Sequence, residues 1–133
     1  MGKITKILII DDNADIRQAV RLTVEEQEHF TVTVTESSDV ESGIEQLEKI
    51  HPDIVILDLH MPNQSGFDFM TVLRKSEKYA NVKVIMMTAD DTIDNVLEAE
   101  DRGVNPYYFL GKPFNVVDLR ALVLSLILPL KPL

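Results

Sequence analysis

Two short apolar runs organise the first half of the chain, Ile7-Leu8-Ile9-Ile10 and Ile54-Val55-Ile56-Leu57, and each stops at carboxylates, Asp11-Asp12 and Asp58. Brief apolar runs without polar alternation, bounded by turn residues, predict strands buried on both faces, as in a parallel sheet. Five segments read as strands: residues 6–11, 31–36, 53–58, 82–88 and 107–110. The segments between them have helical period. Ile16, Ala19, Val20, Thr23 and Val24 share one face, with Arg17, Arg21 and Glu25 opposite. Ser38-Asp39-Val40-Glu41 has the pattern of a capping box, opening a second helix that carries Ile44, Leu47 and Ile50 inward. Gly66 leads into a third apolar-periodic segment with Phe67, Met70, Val72 and Leu73, ending near Ser76. Asp91 or Thr92 caps a fourth helix bearing Ile93, Val96 and Leu97, and Gly103 stops it. Asn115 caps a fifth that runs to about Leu128, where Pro129 ends it.

Strict alternation of strand and helix predicts an α/β fold of βαβ units, and right-handed crossovers place helices on both faces of the sheet. The order 2-1-3-4-5, the flavodoxin-like doubly wound arrangement with five parallel strands and five helices, sets the first and third strands side by side at the switch point where such sheets bind ligands. Asp11, Asp12 and Asp58 then converge at the carboxyl ends of those strands, and the ends of the fourth and fifth strands add Thr88 and Lys112. Three acids gathered at buried strand ends call for a cation between them.

Composition narrows this picture further. With 133 residues the chain reads as one domain over residues 1–128, with residues 129–133, Pro-Leu-Lys-Pro-Leu, as the start of a linker or tail. A net charge of −9 argues against a nucleic-acid-binding surface and agrees with a cation site or a basic partner. The absence of Cys excludes disulfides, thiolate metal sites and Cys catalysis, and fits a reducing compartment. The apolar run near the start is cut by Asp11, so no signal peptide is expected, and the apolar stretch 121–130 is shorter than the roughly 18 residues of a membrane span. A cytoplasmic protein without membrane attachment is the expectation.

Four motifs now stand in order, each just after its own strand: Ile9-Ile10-Asp11-Asp12-Asn13, Leu57-Asp58-Leu59-His60-Met61-Pro62-Asn63-Gln64-Ser65-Gly66, Met87-Thr88-Ala89 and Gly111-Lys112-Pro113-Phe114. Together they resemble the receiver domain of two-component response regulators, and the likeness covers about residues 6–128. The resemblance implies that Asp58 is the phosphoacceptor, attacking a phosphoryl group on a phosphohistidine of a sensor histidine kinase or phosphotransfer protein. It implies that Asp11, Asp12, Asp58 and the backbone carbonyl of His60 hold Mg²⁺, an ion suited to few carboxylates and several waters. Lys112 is implied to pair with the phosphoryl oxygens, Thr88 to hydrogen-bond them and report the event, and the Lys112–Pro113 peptide to be cis. At the position where the family often has a switching Tyr this chain has Phe109, with Tyr107 and Tyr108 just upstream. An inward/outward switch of Phe109 is expected, without a phenolic hydroxyl.

The same residues have simpler readings one by one. Asp11 and Asp12 alone suit a strand-end turn and helix cap, Lys112 a solvated surface position, and Thr88 a strand. Their joint placement favours the site. His60 is expected beside the site as a side chain that tunes rather than catalyses, and His29 and His51 as surface or capping residues. The expected function is a phosphorylation-activated switch, not an enzyme acting on an external substrate. The alternatives are a pseudo-receiver that only scaffolds interactions, and an Mg²⁺-dependent phosphatase with an aspartyl intermediate. The latter needs an acid two residues after its nucleophile, where Asp11-Asp12-Asn13 has an amide; the pairs Glu26/Glu28 and Glu98/Glu100 read as helical. The last helix is apolar nearly all round over residues 121–128. That suits deep packing, a partner or homodimer surface formed with the fourth helix and fifth strand, or docking against a further domain.

Overall fold

The computed structural model describes residues 4–25, 30–89, 92–105 and 108–127. Strands and helices alternate as β1 (Ile4–Ile10), α1 (Ala14–Glu25), β2 (Thr31–Ser37), α2 (Val40–Ile50), β3 (Ile54–Asp58), α3 (Gly66–Lys75), β4 (Lys83–Thr88), α4 (Ile93–Asp101), β5 (Phe109–Gly111) and α5 (Val116–Ile127). A 3-10 turn, Glu77–Tyr79, lies between α3 and β4. The strands form one parallel sheet in the order β2-β1-β3-β4-β5. This is the doubly wound arrangement expected from the alternation.

The uninterrupted apolar runs follow from burial on both sides. Successive strand residues point to opposite faces. Leu8, Ile10, Val55 and Leu57 pack with Leu47 of α2 and Phe69, Met70 and Leu73 of α3. Ile7, Ile9, Ile54 and Ile56 pack on the other side with Val20 and Val24 of α1 and Leu119 and Val123 of α5. A strand between two helical layers has no polar face to show, and β3 is buried along its whole length.

Several boundaries differ from the sequence expectation. β1 begins at Ile4, extended by pairing of Ile4 with Thr31. The cap of α2 is Asp39, not Ser38: its Oδ1 accepts from the Ser42 N–H at 2.7 Å, with Asp39 in extended backbone geometry. The capping box stands instead at α3, where Ser65 Oγ accepts from the Phe67 N–H at 3.2 Å and Asp68 Oδ2 accepts from the Ser65 N–H at 2.9 Å. The buried stripe of α3 runs through Phe69 rather than Val72, which is exposed. Thr92 caps α4, Gly103 follows it at φ 94°, and Asn115 Oδ1 caps α5 by accepting from Val117 and Asp118 N–H. His51 ends α2 in the left-handed region, the capping role expected of it. β5 spans Phe109–Gly111, so the described Tyr108, expected in the strand, precedes it. The expectations for Glu26, Glu28, His29, Asp91, Tyr107, Leu128 and residues 129–133 lie outside the described residues.

The last helix is not deeply packed. α5 lies beside α1 and buries only Leu119 and Val123 among its described residues, with Leu122, Leu126 and Ile127 half-buried and Val117 69% exposed. A helix laid on one face of a sheet buries one stripe, whatever the rest of its sequence. Leu97 of α4 is 53% exposed. Among the described residues no helix is long and apolar enough to cross a membrane.

Candidate functional site

β1 and β3 pair in parallel with Ile10 opposite Leu57, so Asp11 and Asp58 leave the sheet edge at the same height. Both are buried, at 3% and 5% exposure, while Asp12 faces solvent. The nearest carboxylate oxygens of Asp11, Asp12 and Asp58 all lie within 4.8 Å of one another. Lys112 reaches them from the far side, with its Nζ 2.7 Å from Asp11 Oδ2 and 3.2 Å from Asp58 Oδ1. The backbone just past β5 delivers it: the Lys112 N–H donates to the Thr88 carbonyl at 2.7 Å, and the Lys112–Pro113 peptide is cis. Thr88 is fully buried at the end of β4. Phe109 pairs in register with Met86 and is half-buried against the core on the α2–α3 face.

Asp11 is held at four points. Its N–H donates to the Ser37 carbonyl at 3.1 Å, and its carbonyl accepts from Arg17 at 2.6 Å. Its carboxylate accepts from the Asn13 N–H at 2.9 Å and from Lys112. The turn after β3 is held as tightly. The Leu59 N–H donates to the Met87 carbonyl at 3.0 Å, the Gly66 N–H to the Leu59 carbonyl at 2.7 Å, and His60 bridges Ser65. Asn63 takes a positive φ of 70° in that turn. A Cβ on Gly66 would stand 2.6 Å from the Asp58 carbonyl oxygen, so only glycine lets α3 start this close to the site. The His60 side chain is exposed at the edge of the site.

Burial pushes the Asp58 carboxyl up to about 6, and the neighbouring Asp11 adds to this; Lys112 and the His60 N–H oppose it. For Lys112 burial favours the neutral amine, but its bonds to Asp11 and Asp58 outweigh that and hold the ammonium above its ordinary range. The site therefore gathers three carboxylates against one close ammonium, with two of the acids out of water. An all-oxygen donor set with excess negative charge matches a hard divalent cation, and no soft ligand is present in the cluster.

All five residues singled out from the sequence, Asp11, Asp12, Asp58, Thr88 and Lys112, lie at these strand ends. Two groups were missed. Helical period assigns Arg17 to the solvent side of α1, yet it bonds the Asp11 carbonyl and Glu36. The Ser65–Asp68 capping box fixes the far end of the Asp58 turn. Opposite charges near the start of α1 and near the end of β2, on elements predicted to be neighbours, were the available signal for Arg17 and Glu36.

Comparison with known proteins agrees with this geometry. The family model described as response regulator receiver domain matches residues 7–124. The chemotaxis protein CheY-3 of Vibrio cholerae is 32% identical over 120 residues, covering 90% of this chain and 89% of its own length. The phosphate regulon transcriptional regulatory protein PhoB of Klebsiella pneumoniae is 27% identical over 96% of this chain but only 54% of its own length. The transcriptional regulator RpaA of Synechocystis is 33% identical over 92% of this chain and 48% of its own. The chain thus spans about half the length of these two regulators. Among solved structures, the signal receiver domain of a DNA-binding response regulator from Colwellia psychrerythraea superposes with a TM-score of 0.84 at 27% identity, covering 92% of this chain and 98% of that one.

Proposed function

The chain belongs to the response regulator receiver domain family, and from that premise we propose that Asp58 accepts a phosphoryl group and that its phosphorylation switches the conformation of the domain. The observation that carries this reading is the convergence on buried Asp58 of Lys112 at 3.2 Å and of the Asp11 and Asp12 carboxylates. In the reaction an oxygen of the Asp58 carboxylate attacks phosphorus on a phosphohistidine of a sensor kinase or phosphotransfer protein. The P–N bond breaks, its electron pair stays on the imidazole nitrogen, and an acyl phosphate forms on Asp58. Attack needs the ionised carboxylate, and a carboxyl raised to about 6 is mostly ionised at neutral pH.

Asp11, Asp12, Asp58 and the carbonyl of His60 would hold Mg²⁺. Bound there, the ion offsets the repulsion between the carboxylate and an anionic donor. Lys112, already shared between Asp11 and Asp58, pairs with the incoming phosphoryl oxygens. The Thr88 hydroxyl hydrogen-bonds one of them, which draws the segment after β4 toward the site. Phe109, half-buried beside that segment, follows it inward by packing alone, since it has no hydroxyl. Asp58 is consumed once per cycle and restored by hydrolysis of the acyl phosphate, so the domain acts as a switch and not as a catalyst for an external substrate.

The test uses acetyl phosphate as a small donor. With MgCl₂ the intact protein is expected to gain the mass of one phosphoryl group, and chelation by EDTA to prevent it. Lys112→Ala is expected to slow the uptake about a hundredfold. An unchanged mass for the wild-type protein in Mg²⁺ would contradict the reading.

A further inference from the structure

We propose that Arg17 is a positioning residue for the acidic site: by holding the carbonyl of Asp11 it sets the orientation in which Asp11 and Asp12 present their carboxylates to a divalent cation. The proposal rests on the reading of Asp11 and Asp12 as cation ligands given above.

The Asp11 carbonyl belongs to the peptide unit that joins Asp11 to Asp12. A peptide unit is planar and rigid, so fixing that oxygen constrains the directions in which both side chains leave the chain. The Arg17 NH1 group donates to it at 2.6 Å, a charge-assisted bond of the shorter and stronger kind. The N–H of Asp11 is fixed on the other side by the Ser37 carbonyl at 3.1 Å. Without Arg17, the Ile10–Asp11 peptide keeps its anchor to β2, but the Asp11–Asp12 peptide loses the bond that opposes its rotation about the adjoining bonds.

Arg17 is itself held. Its side chain is 18% exposed, and its Nε donates to Glu36 Oε1 at 3.0 Å. Glu36 pairs in register with Ile9, two positions before Asp11, on the neighbouring strand. The second oxygen of Glu36 accepts from Arg21 Nε at 2.7 Å, and Arg21 also pairs with Glu25 at 2.7 Å and donates to the Val34 carbonyl at 3.3 Å. Two guanidiniums thus face two carboxylates, and their charges cancel. The network fixes the turn without adding net positive charge that would repel a cation.

The guanidinium fork matters here because one side chain performs two tasks, Nε toward Glu36 and NH1 toward Asp11. A lysine offers one nitrogen and cannot hold both directions. Arg21 shares Glu36 but has no bond to either acid. It therefore serves as an internal control for general loosening of the α1–β2 contact.

The experiment titrates MgCl₂ into the metal-free full chain by calorimetry, with circular dichroism and thermal melts on each variant. Partners that orient metal ligands from outside typically contribute 10- to 100-fold in affinity, so Arg17→Ala is expected to raise the Mg²⁺ dissociation constant about tenfold. Arg17→Lys is expected to fall between Arg17→Ala and wild type, and it carries the test if the alanine variant does not fold. Arg21→Ala is expected to lower the melting temperature while leaving Mg²⁺ affinity within about twofold, because Arg21 touches the site only through Glu36 and bonds neither acid. Wild-type affinity in both Arg17 variants, or equal weakening by Arg21→Ala, would overturn the proposal. A wild-type protein that binds no Mg²⁺ would remove the underlying reading of the acids and the proposal with it, an outcome distinct from the other two.

Discussion

Asp58 is buried beside a second buried carboxylate, and this is an unfavourable place for a negative charge. Its carboxyl titrates near 6 in the folded chain against 3.8 for the free group, so the folded state binds that proton more tightly than the unfolded state. The sign follows by linkage. Below 3.8 both states are protonated and the group costs nothing; between 3.8 and about 6 stability falls as pH rises; above 6 the penalty is complete. Asp58→Asn removes the charge while keeping the shape. In metal-free buffer it is expected to stabilise the fold at pH 7.5 by on the order of 2 kcal/mol and to leave it unchanged near pH 3.5. Urea denaturation at the two pH values checks this, and a less stable Asn variant at pH 7.5 would contradict it. At this scale Asp11, Asp12, Asp58, Thr88 and Lys112 were legible because each follows a recognisable strand. Arg17 was not. Amphipathicity says only that a side chain faces away from the core, and a long arginine on that face can still reach back to a strand end.

Among the elements, the turn between β3 and α3 is the most constrained part of the site. α3 begins at Gly66, where an added Cβ would meet the Asp58 carbonyl oxygen at 2.6 Å and the Leu59 Cα at 3.1 Å. Both are backbone atoms that cannot move aside without moving Asp58. Gly66→Ala is therefore expected to destabilise the protein by about 2 kcal/mol through overpacking, although alanine is the better helix former. A thermal melt of the variant equal to or above wild type would contradict this. The tight start also explains why Ser65 and Asp68 form the reciprocal cap there, anchoring a helix that must begin at one residue and no other. Sequence patterns alone favoured Ser38 and Glu41 for a capping box. The backbone decided otherwise, because Asp39 is the residue in extended geometry immediately before α2. α5 teaches the complementary lesson: its apolar sequence marks what the helix could bury, while the single stripe through Leu119 and Val123 is what one sheet face allows.

For the whole molecule, the strand order was legible because alternation and right-handed crossovers leave few arrangements, and only a central β1–β3 pair brings the acids together. The exposed Leu97, Val116 and Val117 lie on α4 and α5, away from any partner that the sequence could name. The surface that would read the proposed switch depends on the chemistry of another molecule or domain, which a single chain's own pattern does not encode. The central claim concerns one atom group, the Asp58 carboxylate as phosphoryl acceptor. The most direct measurement is reaction with acetyl phosphate and Mg²⁺, reduction of the acyl phosphate with borohydride, and peptide mass spectrometry of the digest. The account predicts homoserine at position 58 and at no other aspartate. Reduction at Asp11 or Asp12, or at no residue after full reaction, would contradict it.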